Sequence, residues 1–214
     1  MSLFTYPNYL YELIFHSEYP EIVQLCKGNR AINQLCQNDS QISKLIQQKR
    51  IEYKTDRFMR GKGFNGFYVA IKNGDVEIVN ELIRRGRNPS DSGNAAISTA
   101  SGYSSLAMVN LLLSDSRVEP SANDNEAIRV ASSKGQLSNV NRLLQDKRVN
   151  PTVNDNDAIK TAAYLGYDDI VYRLLQDPRV KSSLSVADLE PYLHNEMDPT
   201  IAKDIIRKLS AFDA

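Results

Sequence analysis

RVEPSANDNEAIRVASSKGQLSNVNRLLQDK, residues 117–147, is followed directly by RVNPTVNDNDAIKTAAYLGYDDIVYRLLQDP, residues 148–178. Superposed, the two stretches align Pro120 with Pro151, Ala127 with Ala158, Ala131 with Ala162, Gly135 with Gly166 and Leu144 with Leu175. One step upstream, NAAISTASGYSSLAMVNLLLSDSRVEPS places Ala96, Ala100, Val109 and Leu113 in the same frame. A further step, FYVAIKNGDVEIVNELIRRGRNPS, fits with one residue fewer before Pro89. A fixed period repeated this often marks a repeat architecture.

Each copy predicts two short helices. In the last, Ala158, Ile159, Ala162 and Ala163 recur at helical spacing before Gly166 interrupts them. Asp168 or its neighbour is placed to cap a second helix carrying Ile170, Val171, Leu174 and Leu175. Asn, Asp and Pro between copies mark turns. One helix pair cannot bury its own apolar face, so neighbours must stack. The expected fold is all-α, an α-solenoid of about four helix-turn-helix repeats at 61–90, 91–121, 122–152 and 153–183. A helical segment over 1–60 and a capping repeat over 184–214 flank them. In the latter, Ser185 and Asp198 are expected N-caps, Pro199 opens a helix, and Ile201, Ile205, Ile206 and Leu209 form its apolar stripe.

The pattern resembles the ankyrin repeat. Gly63 and Gly93 stand at the family's turn-glycine slot, and Asp124 and Asp155 replace glycine later. Gly74-Asp75-Val76-Glu77-Ile78-Val79 and Leu82-Ile83-Arg84-Arg85-Gly86 match its second helix. The family's TPLH tetrapeptide is absent, and with it the Thr–His lattice between repeats. Asp tolerates left-handed backbone better than most residues, so the turn should persist. The DxRVxPxxNDNxAI form is similar to divergent repeats of giant DNA viruses of amoebae. The resemblance implies a non-enzymatic module that binds a protein, a host protein if the chain is viral. The binding face would comprise turn tips Phe64, Asn65, Asn94, Asn125, Glu126, Asn156 and Asp157. Its first-helix slots would be Lys72, Asn73, Gly102, Tyr103, Ser133, Lys134, Tyr164 and Leu165. Tyrosines anchor interfaces at low rotamer cost, which puts Tyr103 and Tyr164 first and Phe64 next.

Residues 1–60 lie outside the period. They predict three or more helices, with Asp39-Ser40 capping the last. Tyr9-Leu10-Tyr11-Glu12-Leu13, Leu25-Cys26, Asn29-Arg30 and Leu35-Cys36 resemble a degenerate F-box that lacks its proline. The segment is therefore either a plain helical cap or the part of a substrate-recruiting adaptor that docks on the Skp-type subunit of a cullin ubiquitin ligase.

Composition narrows the classes. The chain has 214 residues with 26 Lys+Arg against 26 Asp+Glu, so it carries no general nucleic-acid footprint. The basic clusters Lys54-Arg57-Arg60-Lys62 and Arg84-Arg85-Arg87 are diluted by Glu52, Asp56, Asp75, Glu77 and Glu81. No membrane span or signal peptide is expected. Cys26 and Cys36 are expected as packed thiols in a reducing compartment, the cytosol or nucleus of a cell. His16 and His194 have no metal-ligand spacing. Gly61-Lys62-Gly63-Phe64-Asn65-Gly66 lacks the GK[ST] ending of a phosphate loop. Neither a catalytic site, a metal nor a cofactor is expected, and a monomer is.

Overall fold

A computed structural model describes residues 6–62, 66–193 and 197–210, with side chains from Leu10 onward and none for 61 and 62. All regular structure among the described residues is helical. The chain divides into two compact units, Met1–Gly66 with Asn80–Arg85, and Phe67–Val79 with Gly86–Ala214.

In the first unit, α1 (Tyr6–His16), α2 (Tyr19–Gly28), α3 (Arg30–Asn38) and α4 (Ser40–Lys62) surround Leu10, Ile14, Ile22, Cys36, Ile42 and Leu45. Asn29 alone separates α2 from α3, and its Oδ1 accepts from Ala31 N at 2.8 Å to start the second of them. Asp39 caps α4 as its sequence position suggests, accepting from the backbone N–H groups of Gln41 and Ile42 at 2.9 and 3.0 Å. Cys26 and Cys36 are joined in a disulfide, with Cα atoms 6.2 Å apart. This corrects the reading of two packed thiols: the single-residue link folds α3 back along α2, and that brings the sulfurs together.

The second unit is built from helix pairs. It opens with α5 (Gly66–Asn73) and the start of α6 (Val76–Arg84), whose residues beyond Val79 belong to the first unit. α7 (Asp91–Tyr103) pairs with α8 (Leu106–Leu113), α9 (Ala122–Ser133) with α10 (Leu137–Leu144), and α11 (Val153–Tyr164) with α12 (Asp168–Leu175). α9 packs between α7 and α11, and α10 between α8 and α12. Ala70, Ala100, Ala131 and Ala162 are fully buried at equivalent slots, as are Phe67, Ile97, Ile128 and Ile159 nearby. Small residues at helix contacts allow close axes, at the lower end of the ~8–10 Å range. The chain closes with α13 (Pro178–Ser183), α14 (Val186–Leu189), a 3-10 turn at Glu190–Tyr192 and α15 (Pro199–Ser210). Ser185 and Asp188 form a capping box on α14, and Asp198 accepts from Thr200 N at 2.7 Å ahead of Pro199. In α15 the core-facing residues are Ala202, Ile205 and Leu209, while Ile201 and Ile206 are only half-buried.

Polar ladders tie successive pairs. Asp146 holds Arg148 through two carboxylate oxygens, and Arg148 Nη1 donates to Val118 O at 2.7 Å. Asp177 and Arg179 repeat this on Val149 O at 2.6 Å. The arginine hydrogen bonds hold Asp115, Asp146 and Asp177 below the usual carboxylate range. On the second helices, Arg142 Nε donates to Asn110 Oδ1 at 2.8 Å and Arg173 Nε to Asn141 Oδ1 at 2.7 Å.

Candidate functional site

The tips of the second unit take an unusual backbone. Ser92-Gly93-Asn94, Asn123-Asp124-Asn125 and Asn154-Asp155-Asn156 all have φ between 51° and 66°, three left-handed residues in a row each time. Left-handed turns at Gly93, Asp124 and Asp155 follow from the sequence; their extension to whole triplets does not. Asn and Asp bear this conformation because short polar side chains can hydrogen-bond locally.

Here those side chains reach the segment that leads out of their own helix pair toward the next element. Asn94 Oδ1 accepts from Glu119 N at 2.8 Å, and Asn125 Oδ1 from Asn150 N at 2.6 Å. Asn156 donates to Ser183 O at 3.2 Å and accepts from Ser183 Oγ at 3.0 Å. Asn125 and Asn156 are consequently 6% and 3% exposed. They tie down these segments, which corrects their reading as open tips. Phe64 and Asn65 lie outside the described residues.

The remaining candidates lie on the first helices. Glu126 is half-buried and accepts from Asn123 Nδ2 at 3.3 Å, while Asp157 pairs with Arg129 at 2.7 Å. Together with Val130, Ser133 and Thr161 these residues line a groove of about 380 Å³. Ser133 is half-buried and donates to Val130 O at 3.0 Å. Lys72, Asn73 and Lys134 are exposed at the far ends of their helices. Tyr103 is 48% exposed, with the ammonium groups of Lys72 and Lys134 at 5.1 and 5.3 Å from its ring centre. Tyr164 is 51% exposed beside exposed Leu165. Gly102, expected on this surface, is buried: a Cβ there would run into Val130 Cγ1. Leu106, which opens α8, adds an exposed side chain near Tyr103 that the sequence did not single out.

The titratable groups do not converge. His16 lies 3.6 Å from Glu12, both on the surface of α1. Among the described residues no group of three or more His, Cys, Asp or Glu side chains is placed to hold a metal. Arg85 pairs with Asp56 at 2.5 Å and Glu81 at 2.8 Å, and Arg87 lies 3.7 Å from Asp91, so carboxylates neutralise the basic cluster there. Of Asp168 and its neighbours, it is Tyr167 that stands at the cap of α12, without a side-chain cap bond. Asp168 Oδ1 is buried without a partner, and burial beside Asp169 and Asp198 raises its carboxyl. Burial and a 2.9 Å hydrogen bond to Asp204 push Tyr172 up to about 12. Lys208, then Tyr172 and Arg207, hold Asp204 at about 2. The Tyr172–Asp204 hydrogen bond joins α12 to α15. No described helix is long and apolar enough to cross a membrane. No known family, curated protein or solved structure matches this chain.

Proposed function

We propose that the chain is a non-enzymatic protein-binding module, an ankyrin-like stack that holds a partner on the surface made by its first helices. The observation that carries this reading is the exposure of Tyr103, Leu106, Tyr164 and Leu165, large side chains with apolar surface open to solvent along one rim of helix ends. Their helices are braced by the alanine contacts and the asparagine and arginine ladders, so the rim is presented rigidly. Those ladders take the place of the Thr–His lattice missing from the sequence. The test is affinity capture from the native cell with wild type beside Tyr103→Ala/Tyr164→Ala. Specific partners should be retained by wild type and lost by the variant, and identical captures would reject the face.

A second reading, an adaptor in a cullin-type ubiquitin ligase, draws on the first unit. Phe15 is 50% and Leu13 37% exposed on α1, beside the F-box-like positions Leu10 and Glu12. Binding of a Skp-type subunit to the full chain, lost on Leu13→Glu/Phe15→Glu, would favour it over a plain cap.

A further inference from the structure

The rim carries a charge pattern as well as an apolar one. Along equivalent slots the first-helix ends read Asn73, Tyr103, Lys134 and Leu165. The Lys72 ammonium reaches across from the preceding pair to the Tyr103 ring. In sequence along the rim this is cation, aromatic, cation, apolar.

Most cations of the second unit described above are already satisfied by a carboxylate or an asparagine. Arg117, Arg148 and Arg179 have Asp115, Asp146 and Asp177, and Arg142 and Arg173 have asparagines. Lys72 and Lys134 differ, since among the described residues neither forms an ion pair and both rest over one half-exposed ring. On α9 the acidic residue before Lys134 is Glu126, about two turns away toward the tip; Asp75 and Glu77 follow Lys72 in sequence but form no ion pair with it, and Arg129 already answers Asp157 on α11. An aromatic face does not neutralise an ammonium; it leaves two positive charges beside an open apolar surface.

We infer that the Lys72–Tyr103–Lys134 rim receives an extended acidic segment of the partner protein, with carboxylates at the two lysines and apolar side chains over Tyr103 and Leu165. The inference rests on the binding-face reading and specifies the partner's chemistry. Consecutive first helices lie roughly 8–10 Å apart, and an extended chain advances about 3.3 Å per residue. Both ammonium groups lie within 5.3 Å of one ring centre, so the two carboxylates stand about three residues apart with an apolar side chain over Tyr103 between them, and the residue that meets Leu165 follows about three further on. Carboxylates meeting ammonium groups make charge-assisted hydrogen bonds, which makes binding salt-dependent on an exposed rim.

The experiment is selection of random linear peptides of about a dozen residues, a length that spans the four slots, on the full chain. Winners are resynthesised and titrated against wild type, Lys72→Glu/Lys134→Glu, Tyr103→Ala and Tyr164→Ala. All replaced side chains are exposed, and circular dichroism and melting confirm that each variant is folded. The expected winners carry two Asp or Glu residues about three positions apart, with an aromatic or aliphatic residue between them. Charge reversal should weaken them tenfold or more, and rising salt should weaken them progressively. Neutral or basic winners, or charge reversal that changes binding by less than twofold, would overturn the acidic preference. If such neutral winners still depend on Tyr103 or Tyr164, the binding face survives without it. Winners indifferent to all four residues would overturn both, and a selection yielding no winners would overturn the acidic segment.

Discussion

Replacing Asn125 separates two forces that act on one residue. Its backbone is left-handed, with φ 53° and ψ 42°, and its Oδ1 accepts from Asn150 N at 2.6 Å in a site 6% exposed. Asn125→Ala removes the acceptor and puts a Cβ without compensating polarity into the left-handed region. The conformation costs an L-residue about 1–2 kcal/mol. A buried donor left unpaired costs about 1–3 kcal/mol, toward the lower figure here because water can reach Asn150. Asn125→Ala should therefore lose about 2–3 kcal/mol. Asn125→Gly keeps the loss of the acceptor but relieves the backbone, leaving about 1 kcal/mol beyond glycine's own entropy cost of roughly 0.5–1 kcal/mol. Asn125→Asp retains an Oδ1 and tolerates the turn, so it should stay within about 1 kcal/mol. Urea denaturation followed by circular dichroism measures all three, provided the slope with denaturant is unchanged. If glycine is as costly as alanine, the left-handed backbone is not what alanine strains. If aspartate is as costly as alanine, the bond to Asn150 does not hold the segment after α10.

Leu175 is buried at a second-helix slot, so Leu175→Ala should lose about 2–5 kcal/mol in the same assay, against under about 1 kcal/mol for half-exposed Tyr164→Ala. Equal losses would make Tyr164 core. Asp115, Asp146 and Asp177 titrate below the ordinary 3.8 because their arginines hydrogen-bond the charged form. Their stabilisation is thus present above that value and lost as pH falls through the depressed ones, and Asp168, whose carboxyl is raised, runs the other way. Melting temperature should change little from these groups between pH 7 and about 5 and fall below about 4, with Arg148→Met flattening the acid limb; an unchanged acid limb in that variant would remove the Asp146–Arg148 pair from the account. In non-reducing conditions the unfolded chain should show no free thiol, since Cys26 and Cys36 are bonded. Reduction should destabilise the first unit by about 2–4 kcal/mol, the range for a short closed loop. Two titratable thiols in the oxidised sample would refute the pairing.

The helix pairs from Ala122 to Leu175 were legible in the chain because they rest on local physics. Apolar spacing of 3.6, Gly135 and Gly166 as breaks, and Asn/Asp tips each act within a few residues, and the repeat shows each signal again. Asp39, Ser185 and Asp198 were legible as caps for the same reason, since a cap bonds two or three residues ahead. What failed depended on how separate elements fold onto one another, over ten positions for the bonded Cys26 and Cys36 and about thirty elsewhere. Asn125 and Asn156 look like exposed turn residues in sequence, yet their partners are Asn150 and Ser183, in the segments beyond the second helices α10 and α12. Gly102 looks like a surface slot until Val130 of α9, the next first helix, closes over it. The two ammonium groups over Tyr103 come from Lys72 and Lys134, one pair before and one after, and no local pattern couples them. Periodicity alone thus determined the all-helical architecture and which residues recur at each slot. Which recurring polar residues are spent joining neighbours, and which remain free for a partner, only tertiary packing decided, because a side chain's burial is set by the adjacent repeat rather than by its own.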